Sequence, residues 1–290
     1  MPSVETTVVV PAHNAQATLG AQLEALATQV VRRPFEVIVV DNQSTDATAQ
    51  VAHGFADRFA HLRVVTASAG AGVAYARNFG TALASGDRVV YCQADDIVRP
   101  GWLQAMSVAL DSADLVGGVL DVRQINSAYV QSLSWHPTMT ELPTTMRYLA
   151  YATGASLGVR LSVWRELNGF DETFIGGHEE VDFAWRAQLA GHTIGSAPEA
   201  VIDYRLRGSV KGVMKQRYGY GRSYAQLYSR FTDQPIRRLS LKHEVKVIGT
   251  FLISGPRECL AGRGNQWLAG LAWTAGRWRG NFAYGVRCPL

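Results

Sequence analysis

Three clusters of carboxylates stand where an apolar run gives way to polar residues, and each suits a different step of one chemistry. In Val39-Val40-Asp41-Asn42-Gln43-Ser44-Thr45-Asp46, a carboxylate ends an apolar strand. There it can accept hydrogen bonds from a base N–H or a ribose hydroxyl, or it can simply cap the turn into a helix. In Cys92-Gln93-Ala94-Asp95-Asp96, two adjacent acids close a strand. Oxygen-rich clusters select hard ions such as Mg²⁺ or Mn²⁺, although a solvated acidic turn before Pro100 has the same appearance. In Gly177-His178-Glu179-Glu180-Val181-Asp182, three acids crowd a helix start. Neighbouring acids raise one another's pKa while the helix dipole lowers it, so one of them can act as a general base, or all three can be ordinary first-turn charge. A fourth segment, Gly70-Ala71-Gly72 leading to Arg77, puts glycines ahead of a helix that carries a cation. Its spacing is wrong for a dinucleotide fingerprint.

The elements that must position these residues alternate in type. Thr6–Pro11, Phe35–Val40, Leu62–Thr66 and Arg88–Cys92 are short β-branched runs that read as buried strands. Between them, Ala15–Gln29, Thr45–Phe59 (with Ser44 as its cap) and Gly72–Ala84 carry helical spacing, and Pro100 opens a further helix to Leu110. Such alternation implies a parallel sheet with right-handed crossovers, and ligands bind at the carboxyl ends of its strands. His13 and Asn14, Asp41 and Asn42, and Asp95 all fall at those ends. Further on, Leu115–Leu120, Gly154–Arg160 and Ala200–Arg205 read as strands and Glu179–Ala190 as a helix stopped by Gly191. Residues 121–150 have no clear period, and their Trp135-His136 pair suits sugar stacking.

The chain has 290 residues, 47% of them apolar and 18% charged, a globular composition. Its three cysteines have no metal or disulfide spacing and fit a reducing cytoplasm. No run reaches the roughly 18–20 apolar residues that span a bilayer. Charge is split along the chain. Residues 1–204 hold 12 Lys/Arg against 21 Asp/Glu, a net −9, and residues 205–290 hold 16 against 3, a net +13. A basic, aromatic tail suits an anionic membrane surface or a phosphate-bearing acceptor, or docking on the acidic part of the chain. Nucleic acid is disfavoured, because no binding motif accompanies the charge.

Taken in order, Pro-x-x-Asn, Asp-Asn-x-Ser-Thr-Asp, Ala-Arg-Asn, Asp-Asp, Gly-Phe-Asp-Glu and Glu-Glu-x-Asp resemble the family 2 glycosyltransferases of the GT-A fold. The resemblance covers roughly residues 4–205. It implies an α/β, Rossmann-like catalytic domain over 1–205, with a mostly parallel central sheet flanked by helices, and a basic helical segment over 206–290. It implies a nucleotide-diphosphate sugar donor (UDP-, GDP- or dTDP-linked) and a glycan, lipid-linked or small-molecule acceptor. Pro11, Ala12, His13 and Asn14 match the first nucleotide loop, with His13 where an aromatic stacks on the base. Asp41, beside Asn42, matches the carboxylate that reads the base, and Arg77 the nucleotide-side arginine. Gln93-Ala94-Asp95 falls on the Asp-x-Asp motif, with Asp95 at the metal-binding position. Gly169-Phe170-Asp171-Glu172 matches an acceptor-side turn, Glu180 the catalytic base of an inverting displacement, and Asp182 the next carboxylate.

Two departures bear on the Mg²⁺ or Mn²⁺ that the resemblance implies. Gln93 replaces the first Asp of the motif and brings no charge, and Asp203 stands where many members place a metal-binding His; as an oxygen ligand it can substitute and hold the ion with Asp95. These exchanges leave a non-catalytic nucleotide-sugar-binding protein as one alternative. A Rossmann-type oxidoreductase is another, disfavoured by the missing glycine fingerprint. The expected location is cytoplasmic, peripheral at the inner face of the membrane.

Overall fold

A computed structural model describes residues 4–133, 138–236 and 241–289. Trp135 and His136 lie outside the described residues, as does the stacking role expected of them.

Eight strands form one sheet in the order β3-β2-β1-β4-β7-β6-β8-β5. Strands β1 (Thr6–Ala12), β2 (Phe35–Asp41), β3 (Leu62–Thr66) and β4 (Arg88–Tyr91) pair in parallel. Strand β7 (Leu157–Arg160) runs antiparallel to β4 and to β6 (Leu115–Asp121). Strand β8 (Ile194–Asp203) is parallel to β6, and the short β5 (Ile97–Val98) is antiparallel to β8. The sheet is thus mixed but mostly parallel, as expected. Because both faces are covered, the inner strands are mostly apolar, with buried polar exceptions such as Thr7 and Glu36, which bond each other. Val8 and Val10 point to one core with Leu23 of α1 (Leu19–Ala27) and Trp102 of α4 (Trp102–Ala109). Val9 points to the other core with Ala76 of α3 (Val73–Ala82) and Phe183 of α7 (Glu179–Leu189).

Several boundaries differ from the sequence expectation for identifiable reasons. Helix α1 begins at Leu19 rather than Ala15, because the Ala15 amide donates to Thr48 Oγ1 across the loop. Ser44 does not cap α2 (Thr48–His53); its hydroxyl accepts from the Asn14 amide at 2.9 Å instead. Strand β8 starts at Ile194, six residues early, and takes a register shift against β6 between Gly118 and Val119. The 121–150 stretch contains α5 (Ala128–Leu133), and α6 (Leu161–Glu166) follows β7 directly. Gly191 ends α7 as expected, at φ 94°, a value that favours glycine.

The C-terminal helices α8 (Val210–Arg230), α9 (Leu241–Leu260) and α10 (Gly264–Tyr284) complete the chain. Trp185 of α7 shares a core with Leu227, Tyr228 and Phe231 around the end of α8, so the helical segment is packed onto the α/β part. Among the described residues, no helix is long and apolar enough to cross a membrane.

Candidate active site

Two cavities open at the carboxyl ends of the parallel strands. The smaller, about 550 Å³, is lined by the 11–15 loop, Asn42, the start of α3 and the 93–95 turn. The larger, about 890 Å³, runs from Gln93 and Asp95 past Glu180 to an aromatic wall of Tyr151, Tyr204, Tyr220 and Trp273. Val73, Gln93, Asp95 and Arg207 line both.

The smaller cavity is framed by side chains that hold backbone. His13 Nδ1 is 2.7 Å from the Asn42 carbonyl, which can only accept, so Nδ1 carries the proton. The Nε2 lone pair then accepts from Asn14 Nδ2 at 3.3 Å, which fixes the ring plane. Asn42 is a latch: its Nδ2 donates to the Ala67 and Gly70 carbonyls, and its Oδ1 accepts the Gly72 amide at 2.9 Å. Gly72 has φ 110°, which a side chain would strain. Pro11, Ala12 and Ala94 add apolar wall. Asp41 lies below this surface, is mostly buried and accepts from the Ser44 amide at 3.3 Å; it lines neither cavity.

The 93–98 turn is held by one side chain of α1. Gln22 Nε2 donates to the Gln93 carbonyl at 3.0 Å, and its Oε1 accepts from the Val98 amide at 2.9 Å. This fixes two neighbouring acids in opposite directions. Asp95 stands on the shared wall, where Arg207 Nη1 lies 3.1 Å from its Oδ2. Arg205 Nε donates to its carbonyl at 2.7 Å. Asp96 turns inward, is 1% exposed and accepts from the Arg205 amide. Burial first, then the charge of Asp95, push its carboxyl well up from the usual range.

Helix α7 carries the third cluster, and its three acids part company. Glu179 is buried in an ion pair with Arg77, whose Nη2 also donates to the Gly154 carbonyl at 2.9 Å. Glu180 faces the larger cavity. Burial raises its carboxyl to about 8, and Glu179 beside it adds to the rise while Arg77 opposes it. The helix N-terminus stabilises an anion by only about 0.3–1 kcal/mol, too little to offset the desolvation that this wall of the cavity imposes. Asp182 is fully buried between Arg186 Nε at 2.8 Å and Arg230 Nε at 2.9 Å and lines neither cavity. His178, ahead of the three, sits at φ 72° with Nδ1 2.8 Å from Ser223 Oγ, and burial lowers its pKa to about 4. It enters the site as a neutral ring.

Several expected positions are therefore distributed differently. Arg77 lines the larger cavity as the partner of Glu179 and does not line the smaller one, where His13 and Asn42 stand. The Gly169–Glu172 turn lines neither cavity; Asn78 Nδ2 binds the Phe170 carbonyl and Glu172, and Asp171 pairs with Arg230. Asp203 does not stand on the wall that carries Asp95. Its carboxylate accepts from Arg99 Nε at 3.0 Å, within a cluster that includes Asp121 and Arg123, and it lines neither cavity. Among the described residues no group of three or more His, Cys, Asp or Glu is arranged to hold a metal.

Residues the sequence reading passed over complete the site. Arg205 and Arg207 follow the last strand, where no regular period signals their direction, and both line the smaller cavity. Tyr220 stacks over Gly177, where a Cβ would come within 2.8 Å of its ring, so α8 seals the loop that precedes Glu179.

The model of the glycosyl transferase family 2 matches residues 7–165. The pre-mycofactocin glycosyltransferase of Mycobacterium tuberculosis is 29% identical over 238 residues, 79% of this chain and 49% of that protein. The chain thus spans about half the length of that relative. Glycosyltransferase AglE of Haloferax volcanii is 24% identical over 81% of this chain and 78% of its own length. Among solved structures, the mannosyltransferase PcManGT of Pyrobaculum calidifontis, in complex with GDP-Man and Mn²⁺, superposes with TM-score 0.61 at 17% identity. It covers 96% of this chain and 88% of that one. S. aureus TarS 1–349 in complex with UDP-GlcNAc gives TM-score 0.58 at 20% identity over 86% of this chain and 72% of the other.

Proposed function

Because the chain belongs to glycosyl transferase family 2, we propose that it is an inverting glycosyltransferase that moves a sugar from a nucleotide-diphosphate donor to an acceptor hydroxyl. The observation that carries this reading is the junction of two cavities at Gln93, Asp95 and Arg207, with Glu180 on the wall of the larger. The nucleoside occupies the smaller cavity, its base against the His13 ring and its ribose toward Asn14 and the Gln93 amide. Asp41 acts from below by fixing the 42–44 turn. The diphosphate lies over Ala94 and Asp95, and the sugar projects into the larger cavity.

The acceptor enters along the aromatic wall. Its hydroxyl oxygen attacks the anomeric carbon from the face opposite the diphosphate and passes its proton to the Glu180 carboxylate. The bond from the anomeric carbon to the β-phosphate oxygen breaks, and its electron pair leaves with the nucleoside diphosphate. One displacement inverts the centre. A carboxylate raised to about 8 is matched in basicity to this task.

A divalent cation is a common partner of a diphosphate. This chain's donor set does not fit one. On the wall shared by both cavities Asp95 is the only carboxylate among the described residues, Gln93 is neutral, and Asp203 is tied to Arg99. No step here runs through a metal.

Residues 1–205 together with Arg207 carry the chemistry in this reading, and residues 206–290 also wall the acceptor cavity and face an anionic membrane. What supports the second task is the exposed apolar set Val245, Ile253, Leu260 and Phe282 beside Lys242, Lys246 and Arg257. A lipid-linked saccharide at the inner face of a membrane is the acceptor this favours over a free glycan or small molecule.

A thermal-shift panel of UDP-, GDP- and dTDP-sugars tests the reading. A ligand at about 100 times its Kd adds roughly 2.7 kcal/mol, and one base should stand out. Binding without donor turnover would identify a non-catalytic nucleotide-sugar-binding protein instead.

A further inference from the structure

We propose that Arg207 takes the place of a divalent cation, so that the leaving diphosphate is neutralised by a guanidinium. The inference rests on the reading of the two cavities as donor and acceptor sites. Arg207 lines both, and its Nη1 reaches Asp95 Oδ2 at 3.1 Å, on the wall where the departing phosphate lies. The acids that would hold an ion are otherwise engaged. Asp96 is turned inward onto the Arg205 amide, and Asp203 is bonded to Arg99. The turn is also held from the cationic side, since Arg205 Nε donates to the Asp95 carbonyl.

A planar guanidinium binds phosphate oxygens through two parallel N–H bonds and carries a permanent charge. In the ground state Asp95 orients Arg207. When the donor binds, the β-phosphate becomes its second partner. As the bond from the anomeric carbon to the β-phosphate oxygen breaks, the electron pair moves onto that oxygen, and Arg207 stabilises the added negative charge. The acceptor proton goes to Glu180, so the guanidinium gains and loses no proton.

The test is calorimetric titration of UDP, GDP and dTDP, and of the matching nucleoside, in EDTA and in Mn²⁺, with donor turnover measured in parallel. Wild-type protein should bind its preferred diphosphate with affinities within about twofold in the two buffers and turn over donor in both. Arg207→Gln should weaken diphosphate binding about tenfold to a hundredfold and leave nucleoside binding unchanged, with Arg207→Lys intermediate. A thermal melt at the wild-type midpoint shows that the variants are folded. Binding and turnover that vanish in EDTA, with diphosphate affinity untouched by Arg207→Gln, would overturn the proposal and leave the glycosyltransferase reading standing. Failure of all three diphosphates to bind in either buffer would overturn both.

Discussion

Arg77 Nη1 lies 2.7 Å from Glu179 Oε1, and the two side chains are 1% and 3% exposed. Helix α3 is thereby fastened to the first residue of α7, on the wall of the cavity that Glu180 faces. The ion pair holds the start of the helix that presents Glu180 and keeps a second carboxylate beside it.

Removing one partner leaves a buried charge unpaired, which costs about 3–5 kcal/mol. Arg77→Met should therefore lower stability to urea by that amount, and the double variant Arg77→Met/Glu179→Met should recover part of it. A double variant no more stable than the single would show that the pair is not coupled.

The raised Glu180 carboxyl sets a pH profile. Its folded-state pKa, about 8, lies above the usual glutamate value, so the folded protein binds the extra proton between roughly 4.5 and 8. Stability from this group therefore falls as pH rises across that window and levels off above it. Activity runs the other way, because a general base must be ionised: kcat/KM should climb toward pH 8. Glu179→Gln removes the neighbouring charge and should move that limb to lower pH. An unmoved limb would assign it to a different group.

Much of this was legible in the sequence, and the residues show where legibility stops. The strand ends that carry His13, Asn42 and Asp95 could be read from apolar runs meeting polar residues, because a strand buried on both faces is mostly apolar. Glu180 could be placed at a helix start. What could not be read is which way a side chain points within a cluster. Asp95 and Asp96 are adjacent, yet the turn that Gln22 holds sends one to the cavity and one to the interior. Glu179, Glu180 and Asp182 differ by their partners Arg77, Arg186 and Arg230, two of which lie on other helices. The capture of Asp203 by Arg99 was likewise hidden, because it depends on β5 pairing with β8, a two-residue strand with no sequence period.

Asp203 offers a direct check on its separation from the donor site. Asp203→Ala frees Arg99 from one of its two acids, and the variant should lose about 1–3 kcal/mol of stability. Affinity for the nucleoside diphosphate, with or without Mn²⁺, should stay as in the wild type. A Mn²⁺ dependence that changed with Asp203 would return this residue to the donor site.

The basic helical segment should bind anionic vesicles. Co-sedimentation with phosphatidylglycerol vesicles should be strong at about 0.05 M salt and largely lost near 1 M, where the screening length shrinks to about 3 Å. Ile253→Asp should weaken it, since that side chain is 80% exposed on α9. Equal binding to neutral vesicles would contradict an electrostatic contact.

The most direct measurement compares donor hydrolysis in Glu180→Gln and Asp182→Asn, with nucleoside diphosphate affinity followed alongside. Glu180→Gln should lower turnover about 10²–10⁴-fold at unchanged affinity and melting temperature, whereas Asp182→Asn should act through stability and keep turnover per folded molecule. A Glu180→Gln protein with wild-type turnover, beside a folded but inactive Asp182→Asn, would contradict the assignment of the base and the cleft built around it.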